Sequence, residues 1–229
     1  MKGIAESLAL PLGQLGDRGF VGPLLGGFGA AVVAFGLLTW GADAWVASLA
    51  GGTGWLATAL GALGGLAVIV AAYWLFVPVT IALAGVFLEA TAAAVERRHY
   101  PGLPPARGAS LAAQAWFNIG LGAKVLLLNL VLLPVALVLP PVGAVLFWFV
   151  AAVFLGRGLF EGVAQRRMTV AQARSLRRAR NPAVMAIGAV LATMSLVPIL
   201  NLLLPVYGTA AMTHLLHRGP AGPLTGPVT

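Results

Sequence analysis

Cysteine is absent from the 229 residues, which removes disulfides, thiolate zinc sites, iron–sulfur clusters and cysteine nucleophiles together. Charge is scarce as well: Asp, Glu, Lys and Arg make up 9% of the chain, against 60% hydrophobic residues. A water-soluble domain carries about 25% charged residues, so most of this surface faces something other than water. With a mean hydropathy of +0.96, that something is lipid. No cleavable signal peptide is expected, because residues 1–17 hold Glu6, Pro11 and Asp17 instead of an unbroken apolar core.

Acidic residues are the rarest charged class, six against fourteen Lys and Arg, for a net charge of +8. Such an excess raises nucleic acid as a partner, but it is confined to two loops. Arg97, Arg98 and Arg107 oppose only Glu96, and Arg157, Arg166, Arg167, Arg174, Arg177, Arg178 and Arg180 oppose only Glu161. The other charges cancel. Short basic loops between apolar runs follow the positive-inside rule, so no nucleic-acid partner is expected, and loops 96–110 and 157–181 and both termini are placed in the cytoplasm.

Ile4, Leu8, Leu12 and Leu15 recur at helical spacing, which predicts a short N-terminal interfacial segment bent at Pro11. Residues 19–42 carry no charge and rise about 36 Å as a helix, more than the roughly 30 Å hydrocarbon core. They form the first expected span. An outside turn at Gly51–Gly54 follows, flanked by Trp40, Trp45 and Trp55 at headgroup depth. The second expected span starts near Trp55, passes Pro78 and ends in turns that carry Glu89, Glu96, Arg97 and Arg98.

From Gly108 to Gly156 only Lys124 is charged, and Pro140-Pro141 splits the run into a helical hairpin with arms 111–139 and 142–165. Thr169 and Gln172 have capping-box spacing, which opens a short basic helix ending at Asn181-Pro182. The last run breaks at Pro198 and Pro205 into arms 183–197 and 206–217, about 22 and 18 Å long, too short to cross. The expected form is a re-entrant hairpin with a non-helical tip at Ile199–Leu204. The fold class is thus an all-α integral membrane protein with two spanning helices, two helical hairpins of which at least the last is re-entrant, and an N-terminal interfacial segment. Residues 1–218 are one helical membrane domain, and 219–229 a disordered tail rich in Gly, Pro and Thr.

Several side chains stand out against this background. Arg157 and Glu161, four apart, either pair along one helix face as an anchor or serve ion passage. Glu89 is the most deeply placed carboxylate: a proton acceptor, or a group that snorkels to the interface. Lys124 attracts an anion inside the bilayer or reaches the headgroups. Pro198, Asn201 and Pro205 shape the last tip, Asn201 by bonding the backbone groups freed there. His214 and His217 lack a third ligand nearby and read as an interfacial pair, so no metal is expected. With no nucleophile–base arrangement or phosphate-cradling loop, neither an enzyme activity, catalytic residues nor a cofactor is expected.

The run Met194-Ser195-Leu196-Val197-Pro198-Ile199-Leu200-Asn201-Leu202-Leu203-Leu204-Pro205-Val206-Tyr207-Gly208-Thr209-Ala210-Ala211-Met212 resembles the CysZ-type sulfate permeases, within the broader family named after an etoposide-induced protein. Thr169–Arg180 is similar to that family's basic helix, and Gly16–Leu25 to the start of its first membrane helix. The resemblance covers most of 16–217. It implies a bacterial inner-membrane protein, oligomeric, that takes up sulfate for cysteine synthesis. It also implies sulfate binding just before the first span, where the matching residues here are Arg18, Gly19 and Phe20. A helix start offers unpaired N–H groups to an oxyanion and Arg18 a fork, while Asp17 competes for that arginine; the other reading of Arg18 is a membrane anchor. A non-transporting membrane scaffold with the same fold is the alternative function.

Overall fold

The structure is a computed structural model in which residues 2–13 and 88–218 are described, with isolated positions between 22 and 55. Among the described residues all regular structure is helical. The chain divides into two compact units, Gly22–Phe87 and Met1–Val21 with Leu88–Thr229. In the Gly22–Phe87 unit the described positions between 22 and 41 are helical, with Leu25, Val33, Leu37 and Trp40 exposed on one face. Gly54 adopts φ 142°, open to glycine alone at no steric cost, in the turn expected there, and Trp55 is helical. The remainder of the two expected spans lies outside the described residues, as do residues 14–20 and the tail 219–229.

The other unit contains α1 (Lys2–Leu12), α2 (88–99), α3 (Leu111–Val138), α4 (Pro140–Gln165), α5 (Val170–Ala179), α6 (Asn181–Met194) and α7 (Pro198–Arg218). Helices α3 and α4 have 28 and 26 residues and are apolar enough to cross a membrane; at about 42 and 39 Å each exceeds the hydrocarbon thickness. They form the expected hairpin. Ser110 caps α3 by accepting the Ala113 N–H at 3.3 Å. Leu139 alone separates the arms, because Pro140 and Pro141 have no N–H to continue α3 yet suit the first turn of α4. Gly143 lies so close to the Ala136 backbone that a side chain would not fit. At the feet, Ala109 N–H donates to the Gln165 carbonyl at 2.8 Å. The window of α3 most suited to span is unburied throughout, so its apolar surface is left for lipid.

The basic helix α5 opens with the expected capping box. Thr169 N–H donates to Gln172 Oε1 at 2.9 Å, and Gln172 N–H returns to Thr169 Oγ1 at 3.3 Å. Helices α6 and α7 form a second antiparallel hairpin: Gly208 packs on Leu191, and Arg180 at the foot of α6 reaches the carbonyls of Leu215 and Leu216. The expected tip is corrected here. Residues 199–204 are helical, and the break falls at Ser195–Val197. Pro198 is the first residue of α7, where its missing N–H has no helical partner to lose. Pro205 sits inside α7, depriving the Asn201 carbonyl of its usual partner without ending the helix. Asn201 is therefore an exposed residue in the first turn, its N–H bonded to Val197, and it does not hold a non-helical tip.

The second half of α7 is the centre of this unit. Residues 206–217 are buried without interruption, enclosed by α1, α4 and α6. Helix α1 packs on α7: Ser7 and Pro11 are buried while Leu12 is exposed, and the Leu8 carbonyl accepts the Tyr207 hydroxyl at 2.7 Å. It is a packed helix whose Pro11 lies in its last turn.

Candidate functional site

The feet of both hairpins meet in a polar base that arises from elements far apart in sequence. Its hub is Glu96 on α2. Arg166, directly after α4, donates from Nη1 to Glu96 Oε2 at 2.7 Å, and Arg167 donates from Nε to Oε1 at 2.7 Å and from Nη2 to Oε2 at 2.8 Å. His217 of α7 adds Nε2 at 2.9 Å. Burial by itself would raise the Glu96 pKa, but the bonds from Arg167, His217 and Arg166 outweigh it and hold the carboxyl well below the usual carboxylate range. Glu96 is thus a fixed anion. Arg166 also donates from Nε to Glu89 at 2.7 Å, and Arg167 to the Pro104 carbonyl at 2.8 Å.

Beside the hub, the Tyr100 hydroxyl and His214 Nδ1 share a hydrogen bond at 2.9 Å. His214 is fully buried, and its pKa is pulled down to about 3, first by burial and then by His99, Arg218 and His217. It is neutral at pH 7, with one ring nitrogen a donor and the other an acceptor. The Tyr100 ring lies 4.7 Å from that of His217. Both histidines are buried, on the side of α7 that faces Glu96 and Tyr100. Nothing in the i, i+3 spacing pointed to Glu96 or Tyr100, which lie more than a hundred positions away.

A second cluster surrounds Glu161, whose side chain is fully buried. Arg177 of α5 donates from Nε to Glu161 Oε1 at 2.6 Å and from Nη1 to Asn181 at 3.0 Å. Arg157 approaches the same oxygen at 3.2 Å, but its Nε lacks an aligned hydrogen bond. The i, i+4 spacing showed that contact and missed the shorter one from α5. Arg180 is buried with no carboxylate: Nη1 bonds the Leu215 and Leu216 carbonyls at 2.8 Å each, at the negative end of α7. Arg180 Nη2, Gln165 Nε2, Glu161 Oε2 and His217 Nδ1 are buried with no hydrogen-bond partner among the described residues.

Of the other sequence-derived candidates, Glu89 is tied to Arg166 with its side chain half exposed. Lys124 lies near the middle of α3 and is exposed, away from the polar base. Pro198, Asn201 and Pro205 are at the opposite end of the second hairpin. Arg18, Gly19 and Phe20 lie outside the described residues. Among the described residues no group of three His, Cys, Asp or Glu could hold a metal ion.

No curated protein and no solved structure matches the chain. A family model does, over residues 12–205, a range that includes the expected first span, both arms of the first hairpin and the basic helix, and stops at Pro205. With that match over most of its length, the chain belongs to the family described as sulfate transporter CysZ/etoposide-induced protein 2.4.

Proposed function

We propose that the protein is an inner-membrane permease for sulfate or a similar oxyanion, feeding cysteine synthesis, and that it works as a homo-oligomer with both termini in the cytoplasm. Its family is one of transporters, not of enzymes. The observation that carries the reading is a surplus of guanidinium groups at the polar base: Arg157, Arg166, Arg167, Arg177 and Arg180 gather there, against Glu89, Glu96 and Glu161. Low-dielectric walls concentrate the field of such a surplus, which draws anions and repels cations. Helix α6 has 14 residues, about 21 Å, shorter than the hydrocarbon core, which supports a second hairpin that enters the bilayer without crossing it. Sulfate is first captured at Arg18, Gly19 and Phe20.

The test is uptake of labelled sulfate by liposomes that hold the purified protein. Uptake above empty liposomes, reduced in Arg18→Ala, supports the reading. No uptake by protein shown to be folded removes it and leaves a membrane scaffold.

A further inference from the structure

The charges at the polar base fall into two sets. The four described carboxylates all have arginine partners: Glu6 with Arg218, Glu89 and Glu96 with Arg166 and Arg167, Glu161 with Arg157 and Arg177. Arg97, Arg107, Arg174 and Arg178 are different. All four are exposed, and none of their side chains forms a hydrogen bond or ion pair with a described residue. Helix α5 shows the division most clearly, since Ala173 is buried and Arg177 and Arg180 turn inward, whereas Arg174 and Arg178, four apart, point outward.

These four arginines lie at one end of the α3/α4 hairpin. Arg107 precedes the first residue of α3 by four positions, Arg97 adjoins the hub residue Glu96, and α5 begins five residues after α4 ends and packs on both α3 and α4. Immediately beyond them the hairpin turns apolar side chains outward, among them Leu111, Trp116 and Ile119 on α3. At the depth where that lipid-facing surface begins, the surrounding anions are phospholipid headgroups. We propose that Arg97, Arg107, Arg174 and Arg178 form a docking surface for anionic phospholipid headgroups of the leaflet at the hairpin's feet, with Arg174 and Arg178 as its centre.

An arginine fork binds a phosphodiester through two parallel hydrogen bonds, and two forks one helical turn apart can grip a single headgroup or two adjacent ones. The interaction is electrostatic at an exposed site, so salt weakens it. Transport of sulfate is not required for it, and its test does not measure transport.

The full chain, purified in a zwitterionic detergent, is titrated with fluorescent phosphatidylglycerol and, separately, with phosphatidylcholine carrying the same label. Phosphatidylglycerol is expected to bind more tightly, with its affinity falling about fivefold for each of Arg174→Gln and Arg178→Gln and retained in the Lys variants. Equal binding of the two lipids by wild type overturns the proposal, and so does unchanged phosphatidylglycerol binding in the double Gln variant. Competition with inorganic phosphate separates the sources: displacement by free phosphate at the same concentration assigns the surface to a soluble anion and overturns the lipid reading. Should the double variant fail to fold, Arg97→Gln and Arg107→Gln, neither on α5, carry the same comparison.

Discussion

Gly156 and Gly188 bring the backbones of α4 and α6 into direct contact. A β-carbon on Gly156 would lie 2.7 Å from the Val184 carbonyl oxygen and 3.3 Å from the Gly188 Cα, and the obstacle is backbone in both cases, which cannot rotate away. Gly156→Ala and Gly188→Ala should each force the helices apart and destabilise the protein by about 1–3 kcal/mol. Thermal unfolding in detergent reads this. Gly162, with open space around its Cα, is the control, and Gly162→Ala should leave the midpoint unchanged or raise it slightly.

Removing the charge of Glu96 leaves Arg166 and Arg167 partly buried without their shared anion. Glu96→Gln is expected to cost about 3–5 kcal/mol, seen as loss of monodisperse protein or a large fall in unfolding temperature. Glu89 has a half-exposed side chain and only one partner, so Glu89→Gln should cost about 1 kcal/mol or less. Equal effects from the two variants would contradict the role of Glu96 as hub.

Stability should fall on acidification. His214 has its folded pKa depressed to about 3 from 6.5, so between those values the unfolded chain binds the extra proton and stability rises with pH. Glu96 is also depressed, from 4.5; its contribution is present above 4.5 and is lost as pH falls through the folded value. Together they predict a stability that is flat above about pH 7 and falls below 6.5 by up to about 1.4 kcal/mol per pH unit for one proton, read as a drop in the unfolding midpoint. In His214→Gln the decline should begin only near pH 4.5.

With no native cysteine to remove, single thiols can map the hairpin. Both arms exceed the hydrocarbon thickness, so Leu139→Cys should react with an impermeant thiol reagent from outside intact cells, while Gln172→Cys, on the basic helix, should not. Protection of both positions would mean that the first hairpin turns back within the bilayer.

The two prolines of α7 should behave differently from each other. Pro198→Ala changes a first-turn residue and should be nearly silent. Pro205→Ala restores a donor for the Asn201 carbonyl and should raise hydrogen-exchange protection across 201–209. Protection unaltered there would show that the helix had already closed around the proline.

What the sequence revealed were the features written over short distances. Two consecutive prolines marked the α3/α4 turn to within a residue or two, and Thr169 with Gln172 marked the start of α5, because backbone donors and caps act within one turn. Prolines were misleading where neighbours compensate. Pro205 was read as a break, but the helix runs through it into the buried stretch 206–217, whose packing outweighs one missing hydrogen bond. The polar base was legible only in its i, i+4 contact between Arg157 and Glu161. Glu96 looked like one more residue of a basic loop, since Arg166, Arg167 and His217 reach it from 70, 71 and 121 positions away, and no local pattern encodes which arginine of a basic run faces inward.

The burial of 206–217 bears on how the protein is made. Helix α7 follows in the chain every helix that packs against it, so α1, α4 and α6 leave the ribosome before the surface they share exists. Synthesis proceeds at about 5–20 residues per second, and throughout that interval Glu96 lacks His217 and Arg180 lacks the two carbonyls that receive it. Until α7 is made, the unit therefore stays unclosed at its centre. Closure is late: the central helix is made after the elements it joins, and they fasten onto it once it is there.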